Sequence, residues 1–175
     1  SMTKSFDDFF NEMVMLEYSE PVTFLERLTK ITDPTIEQLV PWKLDLYQRR
    51  VVRDRSRFKI INKSRKTGIS TAITGWAFHT VLTEPNIDIA MVSTAERIAY
   101  EMMDKVKGIA NTLPQALTPS YEINRNEKFM MPNKSRILSL PASPQTIRGL
   151  GLKGKTYVIF DEFAAASARE PGLWD

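Results

Sequence analysis

The sequence predicts an α/β fold in which helices flank a mostly parallel β-sheet. Three runs rich in β-branched and apolar residues, 58–62, 87–93 and 156–160, have the composition of strands. The last run is continuously apolar, as is typical of a buried parallel strand. Two longer segments between these runs, 70–82 and 94–112, place apolar residues at helical spacing. Strands that alternate with long helices indicate parallel connections.

An acidic helical region is predicted over residues 1–40, ahead of the main domain at 41–175. Residues 5–31 carry aromatic and aliphatic side chains at helical spacing, and Pro21 divides them into two helices. We expect the aromatic cluster to form a core or a docking face. A further helix is predicted over residues 44–53.

Shorter elements complete the predicted domain. Residues 83–86 form a turn, Thr94 caps the helix that follows, and the helix ends before Pro114. Short strands separated by turns are expected at 121–123, 129–131 and 136–140.

The composition excludes several classes of protein. The chain has no Cys and one His, His79, which rules out disulfides and thiolate metal sites and leaves no His-based zinc site. We expect a packing or surface role for His79. No apolar run is long enough to span a bilayer, and residues 1–20 carry five acids and one base, unlike a signal peptide. A cytoplasmic protein is expected.

The charge is strongly segregated. Residues 1–40 have a net charge of −5 and residues 41–66 a net charge of +8, whereas the whole chain has +3. The second block includes five arginines, for which DNA contact and a solvated helix face remain alternatives. They are Arg49, Arg50, Arg53, Arg55 and Arg57.

The segment from Lys63 to Thr71 has the character of a phosphate-binding loop. It joins a predicted strand to a predicted helix, where backbone N–H groups and the helix dipole favour an anion. In the pattern G-x-x-x-x-G-K-[ST], Gly68 holds the second glycine position, but Ile69 stands where the lysine belongs. Ser70 or Thr71 supplies the hydroxyl ligand for Mg²⁺. The candidate nucleotide-binding residues are Lys63, Ser64, Arg65, Lys66, Thr67, Gly68, Ile69, Ser70 and Thr71.

Two carboxylates follow the last predicted strand. Asp161 stands at its tip, where it can hold Mg²⁺ beside a phosphate-binding loop. Glu162 comes next, where a base can orient or deprotonate a water molecule.

Two further residues are candidates for nucleotide contact. Gln48 has an amide suited to an adenine edge. Arg148 precedes a glycine-rich stretch predicted to be a mobile loop, and its guanidinium can stabilise the charge of phosphoryl transfer, within the chain or across a subunit boundary. Contact with backbone carbonyls or DNA phosphate is the alternative for Arg148.

Taken in order, Tyr47-Gln48, the loop 63–70, the segment 140–149 and the segment 158–164 resemble the ATPase domain of tailed-phage terminase large subunits. These are the motors that pump DNA into procapsids. The resemblance implies a P-loop NTPase fold of the ASCE/RecA-like type and hydrolysis of ATP with Mg²⁺.

The resemblance also implies residue roles. The displaced lysine of the family falls on Lys63, the loop arginine of other members on Arg65, and the upstream glutamine motif on Gln48. The magnesium and catalytic carboxylates fall on Asp161 and Glu162. The arginine of the T-x-R-G motif, an arginine finger in some members, falls on Arg148. Implied partners are double-stranded DNA, a portal protein, a small terminase subunit and further copies in a ring, in the cytoplasm of an infected bacterium.

The chain departs from the family in two respects. The segment between Arg148 and Asp161 is longer than usual. The sequence also ends at Asp175, before the strand that carries the family's coupling motif and before its nuclease domain, so we expect a fragment with weak or no ATP turnover.

Two alternatives stay open. A superfamily-2 helicase also has a glutamine motif and a D-E box, although the box here reads Asp-Glu-Phe-Ala. A module that docks on DNA or a capsid protein without nucleotide would fit a degenerate phosphate-binding loop.

Overall fold

The computed structural model describes residue 5 and residues 14–61, 68–150 and 155–161, without the side chains of residues 147 and 150. Its first two helices, α1 at residues 14–19 and α2 at Pro21–Leu28, meet at Glu20. Pro21 occupies the first turn of α2, where its missing N–H costs nothing. The Glu20 carboxylate caps this helix by accepting from Thr23 N at 2.7 Å. The predicted division at Pro21 is confirmed.

A β-hairpin follows α2. It consists of β1 (Lys30–Asp33) and β2 (Gln38–Pro41), which pair antiparallel. The helical prediction for residues 5–31 is therefore wrong at its end, and the first 40 residues are not wholly helical. The strand is held by a distant residue, since Lys30 N donates to Thr112 Oγ1 at 2.8 Å. The spacing of apolar residues along the chain does not reveal such a long-range contact.

The main domain begins with α3 (Leu46–Arg53), whose predicted helix is confirmed. Asp45 and Gln48 form a capping box at its start. The remaining elements follow in the predicted alternation of strands and helices. They are β3 (Phe58–Ile61), α4 (Gly68–Thr83), β4 (Asp88–Ser93), α5 (Glu96–Ala110), a 3-10 turn (Gln115–Leu117), β5 (Ile123–Asn124), β6 (Lys128–Met130), β7 (Arg136–Pro141), α6 (Pro144–Leu150) and β8 (Thr156–Asp161).

A six-stranded sheet organises the domain in the order β3-β8-β4-β7-β6-β5. The first four strands are parallel, and β6 and β5 extend the sheet antiparallel beyond β7. The predicted α/β fold with a mostly parallel sheet is confirmed. Because the parallel strands share one direction, the carboxyl ends of β3, β8 and β4 lie at one edge.

Alternate residues of the central strands face two apolar layers. Ile89, Met91 and Ile159 join the larger core, which also contains α4 and α5. The helix α4 is buried from Ala72 to Val81, including the polar residues Thr74, His79 and Thr80. Ala90, Val92, Val158 and Phe160 form a smaller cluster on the opposite face of the sheet.

The content of the run 58–62 predicts a short buried strand, but β3 lies at one end of the sheet that the described residues form, and only one of its faces is buried. Phe58 and Ile60 are 54% and 52% exposed, whereas Lys59 and Ile61 are buried. Lys59 Nζ donates to Asp54 O at 2.8 Å and lies 4.3 Å from the ring centroid of Trp76. Burial lowers the pKa of Lys59, and the carbonyl and the indole face together stabilise its charge.

His79 has the predicted packing role. It is 6% exposed, its ring centroid lies 4.9 Å from that of Phe24, and its Nε2 lies 2.9 Å from Tyr18 O. Because a carbonyl oxygen only accepts, His79 Nε2 carries the hydrogen of this bond. None of the helices in the described ranges has the length and apolar character needed to cross a membrane.

Candidate nucleotide-binding site

Among the predicted site residues that the structure describes, Asp161 lies at the carboxyl edge of the parallel strands. Ile61, the last residue of β3, stands opposite Asp161, the last residue of β8. The loop that leaves β3 leads into α4, which begins at Gly68. The edge therefore combines a strand-to-helix connection with a carboxylate on the neighbouring strand, as a phosphate and magnesium site requires.

Asp161 is 1% exposed, and its Oδ2 accepts a hydrogen bond from Ser93 Oγ. A buried carboxylate is an oxygen ligand of the kind that Mg²⁺ prefers. Within residues 14–61, 68–150 and 155–161, no three His, Cys, Asp or Glu side chains form a group able to hold a metal. The buried carboxylate of Asp161 is a donor that fits Mg²⁺ held together with phosphate and water.

Gln48 is tied to both helices at the site. Its Oε1 accepts from Asp45 N at 3.0 Å within the capping box, and its Nε2 donates to Gly68 O at 2.9 Å. The amide predicted to read an adenine edge is thus engaged with backbone groups. A Cβ added to Gly68 would lie 2.9 Å from Gln48 Nε2, so this close approach requires glycine at position 68.

In the first turn of α4, the residue at the usual position of the lysine has a different role. Ile69, at the position of the lysine in the common pattern, packs against the main core. The position thus contributes apolar contact where other loops place a cation. Ser70 Oγ accepts from Lys105 Nζ at 3.3 Å, which brings a cation of α5 to the start of α4.

A cavity of about 690 Å³ opens beside this turn. Its walls come from the β-hairpin, from Gln48, from Gly68 and Thr71 of α4, and from α5. Ile31, Leu39 and Trp42 contribute apolar surface to it, and Lys105 contributes a cation. The volume and the mixed lining suit a ligand with an apolar ring and a charged end.

Arg148 lies in the helix α6, which also contains Gly149, the first glycine of the predicted loop, whereas residues 151–154 lie outside the described residues. Ser143 Oγ accepts from Thr146 N at 3.1 Å and Pro144 begins α6, a cap and a first-turn proline that the sequence does display. Arg148 is exposed, and its Nε donates to Pro144 O of its own helix at 3.2 Å. Contact with a backbone carbonyl is one of the two roles expected for it.

Several predicted site residues lie outside the described residues. They are Lys63, Ser64, Arg65, Lys66, Thr67 and Glu162.

Sequence reasoning missed Ser93 and Lys105. Ser93 ends a predicted strand that runs parallel to the strand of Asp161, so its place at the same sheet edge was available from the sequence. Thr94 was predicted to cap α5, but the N-cap is Ala95 without a side-chain cap, and Ser93 Oγ accepts from Ala95 N at 3.2 Å. No sequence signal placed Lys105 near Ser70, because this contact depends on the packing of α5 against α4.

Four of the five arginines named in the basic block are engaged within the molecule. Arg49 pairs with Glu26 at 3.4 Å, Arg53 with Glu20 at 3.1 Å and Arg55 with Glu84 at 2.6 Å. Arg57 Nε donates to Thr156 O at 3.2 Å. Through Arg49 and Arg53, the basic segment of the sequence thus meets the acidic segment in the fold.

The fold and the site define a mixed α/β domain with a strand-to-helix connection beside a buried carboxylate. The solved structure entitled "Crystal structure of the HK97 bacteriophage large terminase" has a similar fold, with a TM-score of 0.59 over 82% of this chain and 16% sequence identity. The chain spans 37% of the length of that terminase chain. The likeness agrees at the level of the fold with the resemblance drawn from the motifs. No protein-family model and no curated protein matches the sequence.

Proposed function

We propose that the chain is the ATPase motor domain of a viral terminase large subunit, which uses ATP hydrolysis to move DNA into a procapsid. The observation that carries the proposal is the pairing of Ile61 with Asp161, which sets the start of a loop with phosphate-binding character beside a buried carboxylate. The terminase-like fold supports the same function.

The proposed nucleotide lies with its phosphates at the start of α4 and its base in the adjoining cavity. Gly68, Ser70 and Thr71 supply backbone and hydroxyl groups at the helix N-terminus, where an anion is favoured. Lys63, Arg65 and Lys66 are the candidates for the cation that Ile69 does not provide. Gln48 positions Gly68, and the cavity walls receive the base.

The proposed hydrolysis uses two carboxylates in different roles. Asp161 and Ser70 would hold Mg²⁺, which neutralises charge on the phosphates when it is bound. Glu162 orients the attacking water and takes its proton. Arg148 stabilises the developing charge, in the same chain or in a neighbouring copy.

The proposed partners are double-stranded DNA, a portal protein, a small terminase subunit and further copies of the chain in a ring. The proposed location is the cytoplasm of an infected bacterium.

The test begins with Mg-ATP binding by the chain, measured by calorimetry. We expect saturable, Mg²⁺-dependent binding that Asp161→Asn weakens about tenfold or more, in the range seen when ligand geometry is lost. Asp104→Asn, an exposed carboxylate on α5, is the control and should bind like the parent chain. Absence of binding would favour the docking module.

Turnover is tested in the natural protein that contains this domain. Glu162→Ala should abolish ATP hydrolysis while leaving nucleotide binding intact, because the residue acts on water and not on the phosphates. Unchanged hydrolysis would contradict the assignment, and ATP-dependent strand separation of a tailed duplex would favour a helicase.

A further inference from the structure

Ser93 and Asp161 lie side by side at the edge of the sheet that carries the proposed site. The strands β4 and β8 are parallel, with Val92 opposite Phe160, so the next residue of each strand reaches the same position. Ser93 and Asp161 are 2% and 1% exposed. Ser93 Oγ donates to Asp161 Oδ2.

The hydroxyl of Ser93 is oriented from two sides. Ala95 N donates to Ser93 Oγ at 3.2 Å, and Ala95 O lies 3.0 Å from the same oxygen. A hydroxyl has one hydrogen to donate, and a carboxylate is a stronger acceptor than a carbonyl. The backbone of the turn therefore holds the serine while its hydrogen goes to Asp161.

We propose that Ser93 is a positioning residue that fixes the Asp161 carboxylate for Mg²⁺, an inference that rests on the proposed function. Mg²⁺ requires nearly octahedral coordination, so the direction of each ligand oxygen matters. Groups that hydrogen-bond a metal ligand commonly change metal affinity by about 10- to 100-fold when they are removed. The bond also joins Asp161 to the turn that begins α5.

The experiment compares Ser93→Ala with Ser93→Thr, which keeps a hydroxyl. A fluorescent ATP analogue is held at a fixed concentration while Mg²⁺ is titrated, and the Mg²⁺ concentration at half-maximal binding is recorded. We expect Ser93→Ala to raise this concentration about tenfold or more. In EDTA, Ser93→Ala should bind the analogue as the parent chain does. Ser93→Thr should need the same Mg²⁺ concentration for half-maximal binding as the parent chain.

Thermal unfolding of each variant separates positioning from a purely structural role. A lower unfolding temperature for Ser93→Ala with an unchanged Mg²⁺ requirement would overturn the inference. If Ser93→Ala does not fold, Ser93→Cys, whose thiol is a weaker donor, replaces it: a raised Mg²⁺ requirement supports the inference and an unchanged one overturns it.

Asp161→Asn distinguishes this inference from the function on which it rests. If the parent chain binds no Mg-nucleotide, or if Asp161→Asn leaves the metal requirement unchanged, the proposed function fails and the role of Ser93 fails with it. If Asp161→Asn raises the requirement and the Ser93 variants do not, only the role of Ser93 is wrong.

Discussion

The carbonyl oxygen of Gly68 accepts a hydrogen bond from Gln48 Nε2 at 2.9 Å, which joins α3 to the first residue of α4. The other end of the same amide completes the capping box of α3 through Asp45 N. One side chain thus contacts the start of two of the helices that border the cavity, α3 and α4. Gln48 therefore has a structural role in the site even without a ligand.

Gly68→Ala should weaken nucleotide binding without unfolding the protein. The added Cβ would lie 2.9 Å from Gln48 Nε2, and the end of this flexible side chain can move aside. The displacement breaks the bond to Gly68 O, which costs about 1 kcal/mol, and shifts the wall of the cavity. We expect affinity for Mg-ATP, measured by calorimetry, to fall about tenfold, the equivalent of ~1.4 kcal/mol.

Gly149→Ala is the matched control for this change, because a Cβ at Gly149 meets no atom within 4 Å. Equal losses of affinity in the two variants would contradict the role given to Gln48.

Gly75→Ala should destabilise the fold. A Cβ at this position would lie 2.7 Å from Trp42 Cη2 and 3.0 Å from Leu25 Cδ1, in a region where both side chains are buried. Overpacking of this kind costs roughly 1–3 kcal/mol, which exceeds the gain of up to ~1 kcal/mol in helix propensity. The free energy of unfolding, measured by urea denaturation, should fall by about 1 kcal/mol.

Gly108→Ala should have the opposite effect, since its Cβ meets nothing within 4 Å and the residue lies inside α5. Its free energy of unfolding should rise by about 0.5–1 kcal/mol. A stabilised Gly75→Ala variant would show that the contact with Trp42 relaxes at no cost.

His79 should make the stability pH-dependent in mildly acidic solution. Burial lowers the pKa of His79 from 6.5, although the bond to Tyr18 O and the charge of Glu20 and Glu84 oppose the shift and Arg55 adds to it. The folded-state pKa lies below the unfolded one, so the unfolded chain binds the proton first. The stabilisation is complete above pH 6.5 and is lost as the pH falls towards the folded-state pKa.

Urea denaturation at several pH values measures this effect. His79→Gln is the control, because it removes the titrating ring and should flatten the profile between pH 5 and pH 7, roughly the window in which an unperturbed histidine titrates. A parent chain whose stability rises on acidification through this window would contradict the prediction.

Glu20→Ala should destabilise the N-terminal helices. Burial raises the pKa of Glu20, but hydrogen bonds from Thr23 and Arg53 outweigh it and lower the value to about 2. The variant loses the cap of α2 and the pair with Arg53. We expect the free energy of unfolding at pH 7 to fall by about 1–2 kcal/mol, mainly from the cap.

The lowered pKa of Glu20 determines how its contribution to stability changes with pH. The stabilisation by Glu20 is present above pH 4.5, the unfolded value, and is lost as the pH falls through about 2. Glu17→Ala removes a pair with the largely exposed Arg27 and should cost less than about 1 kcal/mol. A larger cost for Glu17→Ala than for Glu20→Ala would contradict the capping role.

The sequence indicated most of the fold because the relevant signals are local. The apolar runs of β4 and β8 and the helical spacing of α5 are properties of neighbouring residues, and the structure confirms them. The helix α6 was missed although Ser143 and Pro144 display a cap and a first-turn proline. The strand β1 could not be predicted from periodicity, because Thr112 holds it from a distant part of the chain.

The candidate site also combines features that the sequence predicts with features that only the fold reveals. The position of Asp161 at a strand tip follows from the sequence, since it comes directly after an apolar run. The use of Ile69 for core packing and the bond from Ser93 to Asp161 depend on which elements meet in space. The structural consequence of the charge segregation is also visible only in the fold. There, Glu20 and Glu26 of the acidic segment pair with Arg53 and Arg49 of the basic one.

By itself, the sequence determined the alternation of strands and helices and the order of the charged and hydroxyl groups along it, because these depend on near neighbours. The tertiary structure alone decided which of those groups face one another. It tied Gln48 to Gly68 and Ser93 to Asp161, pairs that are 20 and 68 residues apart in the chain. Sheet register and helix packing fix such pairs, and neither is encoded in any single segment of the sequence.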